Sequence, residues 1–80
     1  MIDLKIQYYG MIAECTQCDG EFLSTEKLLS VNELDRLIKQ KHPKLEKLSY
    51  KIAINQTFVP TDTMVLANQE IALLPPFSGG

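Results

Sequence analysis

Eighty residues and 9.0 kDa leave room for one domain, and a chain this short buries only about two-thirds of its unfolded surface, which argues against a large catalytic cleft. Hydrophobic residues at 45% and charged ones at 22% match soluble globular domains and exclude disordered, collagen-like and coiled-coil classes. A net charge of −2 withholds the positive footprint that nucleic-acid binding draws on. The longest aliphatic run, Ile71 to Leu74, is far short of the roughly 18 residues of a membrane span, and the acidic start Met1-Ile2-Asp3 does not read as a secretory leader. The expectation is a cytoplasmic protein with no nucleic-acid or membrane partner.

Ile2, Leu4, Ile6 and Tyr8 alternate with Asp3, Lys5 and Gln7, the period of a strand with one buried face. Gly10 breaks it, and Met11, Ile12, Cys15 and Cys18 then recur as the inward side of a short helix, which Asp19-Gly20 ends. Glu21 to Thr25 reads as a second strand. Ser30-Val31-Asn32-Glu33 fits a capping box, so a second helix starts there, with Val31, Leu34, Leu37 and Ile38 inward. It runs to about Lys41, because His42 precedes Pro43 and is pushed out of the helical region.

Lys51 to Asn55 and Thr57 to Val59 read as strands joined by a tight turn near Asn55-Gln56, with Ile52 and Ile54 buried. Thr61 to Gln69 is expected to be a polar loop with an apolar plug, Met64-Val65-Leu66. Glu70 to Leu74 is the last strand, and Pro75-Pro76 forbids its extension. The order strand, helix, strand, helix, short strands describes one α+β domain, with the first strand beside the last. That arrangement matches the ubiquitin-like β-grasp: a mixed sheet of four to five strands over residues 1–74, helices packed on one face, and a flexible, extended tail over 75–80.

Three features invite chemistry. Cys15-Thr16-Gln17-Cys18 has the spacing of a redox dithiol or half a metal site. With one histidine and no second cysteine pair the chain cannot close a four-ligand zinc site, so the cysteines read as core packing and no metal is expected. His42 sits at a helix end, where such a side chain commonly meets the last carbonyls, and no nucleophile is placed beside it. Asp62 and Glu70, the remaining acids of interest, read as loop solvation and strand-start charge. Arg36, Lys39, Lys41, Lys44, Lys47 and Lys51 form a basic middle stretch that is either a solvated face or a dock for an acidic partner.

The C-terminus carries the clearest signal. Pro75-Pro76-Phe77-Ser78-Gly79-Gly80 has no charged side chain. Its prolines stiffen the exit from the sheet, and its glycines, lacking Cβ atoms, suit a narrow channel in another protein. A frayed terminus is the alternative. Strand parity puts Tyr9 and Leu74 on the face opposite the core, with Phe58 as a third member. The three form either a docking patch beside the tail or the edge of a small core.

Tyr8-Tyr9, the capped helix at Ser30-Val31-Asn32-Glu33-Leu34, Ala53-Ile54-Asn55-Gln56 and Leu73-Leu74-Pro75-Pro76-Phe77-Ser78-Gly79-Gly80 resemble, over the whole chain, the small sulfur-carrying subunit of molybdopterin synthase, the MoaD-type family. Ala67-Asn68-Gln69 stands where that family often has an acidic turn, although asparagine tolerates the left-handed conformation needed. The Cys15–Cys18 motif is not a family feature. The resemblance implies a non-catalytic subunit that serves as a co-substrate. Its Gly80 carboxylate would be adenylated by an E1-like enzyme using ATP, converted to a thiocarboxylate by a sulfur donor, and threaded on Pro75, Pro76, Phe77, Ser78 and Gly79 into the large synthase subunit, where sulfur passes to a pyranopterin precursor. Two carriers flanking a large-subunit dimer is the assembly it implies, with Tyr9, Phe58 and Leu74 as the preferred docking residues and no cofactor bound. A thiamine-type sulfur carrier or a lysine-conjugated modifier is the alternative.

Overall fold

The computed structural model describes residues 1–75. The chain forms β1 (Ile2–Tyr8), α1 (Met11–Thr16), β2 (Gly20–Thr25), β3 (Leu29–Ser30), α2 (Val31–Lys41), a 3₁₀ turn (Pro43–Lys47), β4 (Lys51–Ile54), β5 (Thr57–Phe58), β6 (Met64–Val65) and β7 (Glu70–Leu74). Five strands make a mixed sheet in the order β2-β1-β7-β4-β5. β1 and β7 run parallel, with Lys5 opposite Glu70 and Tyr8 opposite Leu73, so the first and last strands lie side by side in the sheet.

Register assigns every side chain a face, because neighbours alternate. Leu4, Ile6 and Tyr8 of β1, Ile71 and Leu73 of β7, and Ile52 and Ile54 of β4 share the inner face and are buried. Ile12 of α1 and Val31, Leu34 and Ile38 of α2 join the same core. The capping box forms as its spacing implies: Glu33 N–H donates to Ser30 Oγ at 3.2 Å and Ser30 N–H to the Glu33 carboxylate at 3.0 Å. The Ser30 backbone N–H, and after it the Ser30 hydroxyl, hold the Glu33 carboxyl below its ordinary range.

Several local expectations are corrected. The inward side of α1 is Ile12 and Thr16, while Met11 is exposed. Ile12 and Thr16 lie four positions apart on one side of the helix, Cys15 and Cys18 pack against the core as expected, and Met11 falls outside that side. The helix ends at Thr16 because Gln17 turns left-handed (φ 62), so Cys18 lies beyond it and Asp19-Gly20 is not the terminator. Leu37 is exposed on the flank of the α2 stripe. The loop before β7 is not structureless: Val65 is buried, and β6 pairs with β3 in a second, two-stranded sheet. Asn55 belongs to the turn and Val59 falls outside β5.

The β4–β5 turn is a two-residue hairpin with both central residues left-handed, Asn55 at φ 51 and Gln56 at φ 67. This is the twist-matched hairpin geometry, adopted here without glycine. Asn55 is also tied to the start of β7: its N–H donates to the Glu70 carbonyl at 2.8 Å, and its Oδ1 accepts the Glu70 N–H at 2.9 Å. Asn68 supplies the left-handed residue before β7, at φ 68.

A polar joint closes one end of the core. Glu21 of β2 accepts from the Tyr8 hydroxyl, pairs with the Lys41 ammonium, and lies 2.6 Å from His42 Nε2. The His42 ring meets Tyr8 edge-on at 5.9 Å. The His42 side chain thus serves Glu21 rather than the helix carbonyls; its backbone N–H, donating to Ile38, makes the terminal helix bond. Burial alone would raise the Glu21 pKa, but hydrogen bonds from Lys41, Tyr8 and His42 outweigh it and hold the carboxyl at about 2, against an ordinary 4.5. For the Tyr8 hydroxyl, burial and the Glu21 carboxylate act together, pushing its pKa well above the tyrosine range.

Two predictions follow from this packing. Leu73→Ala, at a fully buried site, should cost about 2–5 kcal/mol of unfolding free energy in a urea titration. A carboxyl whose pKa is depressed on folding adds stability that is complete above its unfolded pKa and is lost as pH falls through its folded one. Glu21 should therefore contribute up to about 3 kcal/mol that disappears between about pH 4.5 and about pH 2. Glu21→Gln should flatten the stability-against-pH curve across that window; parallel curves for both proteins would refute the role given to this carboxylate.

Candidate functional site: the open sheet face and the tail exit

Among the described residues, α1 and α2 join the core on the inner face, and no helix covers the outer face of the sheet. Its rows follow from register. Phe58 stands opposite Ala53, Ala53 opposite Ala72, and Ala72 opposite Gln7. One step toward the end of β7, Lys51 is opposite Leu74, and Tyr9 follows Tyr8 on the other side of that strand. One step the other way, Phe22 is opposite Lys5 and Lys5 opposite Glu70. The structure therefore places Tyr9, Phe58 and Leu74 on one face, with Tyr9 and Phe58 exposed and Leu74 half-buried. Between the aromatic rings lie two alanines, whose small side chains leave the middle of the face low.

The polar groups around this patch orient it. Tyr9 donates its hydroxyl to Gln7 Oε1 at 2.7 Å. The Lys51 ammonium lies 5.7 Å from the centre of the Phe58 ring, within cation–π range. Beside Phe58 a cleft is lined by Tyr50, Lys51, Val59 and Pro60. There the Tyr50 hydroxyl donates to Asp35, and burial together with that carboxylate raises the hydroxyl's pKa above the usual range.

β7 delivers the chain to this end of the molecule. Because β1 and β7 are parallel and in register, Gly10 and Pro75 fall two residues beyond the last shared rung, Tyr8–Leu73. β1 turns away there, since Gly10 adopts φ 58 and ψ −132, a conformation that favours glycine. A Cβ at Gly10 would lie 3.4 Å from Pro75 Cγ, so the proline ring sits directly against Gly10, whose positive φ is what calls for glycine. Pro76, Phe77, Ser78 and Gly79, expected to thread into a partner, and Gly80 itself lie outside the described residues. From Pro75 to Gly80 the chain can reach at most about 20 Å.

The other candidates resolve simply. Cys15 and Cys18 are free and half-buried against the core, and the Cys18 thiol contacts Thr16 Oγ1 at 3.7 Å. Among the described residues no group of His, Cys, Asp and Glu is arranged to hold a metal ion. Asp62 and Glu70 are exposed and share no site. The basic stretch is partly spent internally: Lys41 on Glu21, and Lys39 on Asp35 at 3.2 Å. No helix among the described residues is long and apolar enough to cross a membrane. One exposed aromatic escaped the sequence reading. Phe22, 69% exposed, shares the open face, and its signal was its place between Glu21 and Leu23 in an alternating strand.

Comparison with known proteins adds to this geometry. A relative named molybdopterin synthase sulfur carrier subunit, from Mycobacterium tuberculosis, is 28% identical over 83 residues, covering all of both chains. A solved complex of subunits 1 and 2 of the molybdopterin-converting factor from Helicobacter pylori contains a chain that is 26% identical, with a TM-score of 0.68 over 99% of this chain and all of that one. Small archaeal modifier protein 1 of Haloferax volcanii superimposes with a TM-score of 0.84 at 16% identity, over 96% of this chain and all of that one. The model of the ThiS family matches residues 6–80; the chain belongs to that family and has its ubiquitin-like β-grasp fold.

Proposed function

We propose that this chain is a sulfur carrier in molybdenum cofactor biosynthesis, the small subunit of a molybdopterin synthase. The observation that carries the reading is the exit of β7 at Pro75, beside an aromatic open face and leading to Gly79-Gly80, in a chain similar over its full length to a relative of that name. A free carboxylate is a poor acyl donor. In the proposed cycle the Gly80 carboxylate attacks the α-phosphorus of ATP on an E1-like enzyme, pyrophosphate leaves, and an acyl adenylate forms. A sulfide-level sulfur donor then displaces AMP, leaving a thiocarboxylate at Gly80. The thiocarboxylate sulfur bonds to the pyranopterin precursor inside the large subunit, displacing an oxygen substituent, and water then cleaves the acyl–sulfur bond, leaving sulfur on the pterin and returning the Gly80 carboxylate.

The chain's own contribution is presentation. The seat of Pro75 on Gly10 fixes where the tail begins, and Tyr9, Phe58 and Leu74 provide the docking face for the large subunit. The carrier holds no cofactor of its own; ATP belongs to the activating enzyme.

Peptide-level mass spectrometry after incubation with an activating enzyme, ATP and sulfide should show an ATP-dependent oxygen-to-sulfur exchange confined to Gly80. A variant lacking Gly80 should lose sulfur transfer while keeping its melting curve; full transfer without Gly80 would refute the carrier reading. Phe58→Asp, at an exposed site, should weaken binding to the large subunit by about 10-fold or more while the fold persists, as titration calorimetry would measure.

A further inference from the structure

The two edges of the main sheet are built differently. β5 spans two residues and is followed by Val59 and Pro60, and short edges ending near proline resist pairing with other chains. β2 spans six residues, and Gly20 to Thr25 includes no lysine and no proline. Its backbone orientation can be worked out. Tyr8 N–H donates to the Asp19 carbonyl at 2.9 Å, which makes Tyr8–Asp19 a hydrogen-bonding rung of the β1–β2 ladder. Rungs alternate in an antiparallel pair, so Glu21, Leu23 and Thr25 bond to β1 while the N–H and C=O groups of Gly20, Phe22 and Ser24 point outward. Among the described residues no strand lies on that side of β2. Phe22, with 69% of its surface exposed, stands at the middle of this open ladder.

We infer that the free edge of β2 pairs antiparallel with the β2 edge of a second copy of this chain, joining two five-stranded sheets about a two-fold axis at Phe22. The strand is complementary to itself in this register. Phe22 meets the partner's Phe22, and Gly20 meets the partner's Ser24, each as a hydrogen-bonding pair. On the inner face Glu21 meets the partner's Leu23, and Asp19 meets the partner's Thr25. No like charges oppose one another, and the Glu21 carboxylate is already engaged by Lys41 and His42. Central Phe22 rings supply the apolar contact that a backbone ladder alone lacks. The contact is small, so the dimer is concentration-dependent. It leaves Phe58 free on the opposite edge of the sheet, and does not depend on the sulfur-carrier reading.

Sedimentation velocity between about 20 μM and about 2 mM should show the mass rising from that of one 9.0 kDa chain toward twice that value. Phe22→Lys, at an exposed site, should raise the dissociation constant at least 10-fold, and Ser24→Pro, which removes an outward N–H and no backbone bond to β1 while giving up the 2.6 Å bond from the Ser24 hydroxyl to Asp3, should do the same. Amide exchange at Phe22 and Ser24 should slow as concentration rises, while exchange at Leu23 stays the same. A chain that remains monomeric throughout, a dimer that survives both substitutions, or β2 amides protected only by a different protein would each overturn the inference.

Discussion

The parallel pairing of β1 with β7 is the constraint on which the rest of this structure depends. It places a strand from each end of the sequence in the sheet and builds the inner face from Ile6, Tyr8, Ile71 and Leu73. The same pairing aims both strands at one end of the domain, where β1 folds back at Gly10 and β7 continues to Pro75. Burial on the inner face and presentation on the outer face are therefore consequences of one register. A slip of one residue would carry the aliphatic set outward and bring Leu74 inward.

Much of this was legible in the sequence because the signals were local. Alternation wrote β1, the serine–glutamate spacing wrote the start of α2, and Pro43 wrote its end. The apolar run at Ile71 identified the strand that needed two neighbours. Strand parity then put Tyr9, Phe58 and Leu74 on a common face. What escaped was non-local or marginal. β3 and β6 are two residues each, too short to show a period. Met11 and Leu37 are apolar but lie beside the buried stripes of their helices, at angular positions that face out. The Glu21 joint draws on β1, β2 and the end of α2, positions that no spacing rule connects.

The Glu21 joint also explains why the middle of the chain is less basic in effect than in composition. Lys41 and His42 close on a carboxylate that burial would otherwise disfavour, and the three donors together hold β2 and the end of α2 against Tyr8. The chain thereby secures the sheet edge nearest the helix terminus with polar contacts. His42, the chain's one histidine, is engaged with Glu21 and Tyr8.

The paired bonds between Asn55 and Glu70 carry a mechanical implication. The hairpin that bears Phe58 is held to β7 at its turn by these two bonds and along its length by the Ile52–Leu73 and Ala53–Ala72 rungs. It cannot swing independently of the strand that leads to Pro75. A load applied to Phe58 is therefore borne in shear by β7 itself, and the domain transmits it as a stiff plate from its surface to the root of its tail.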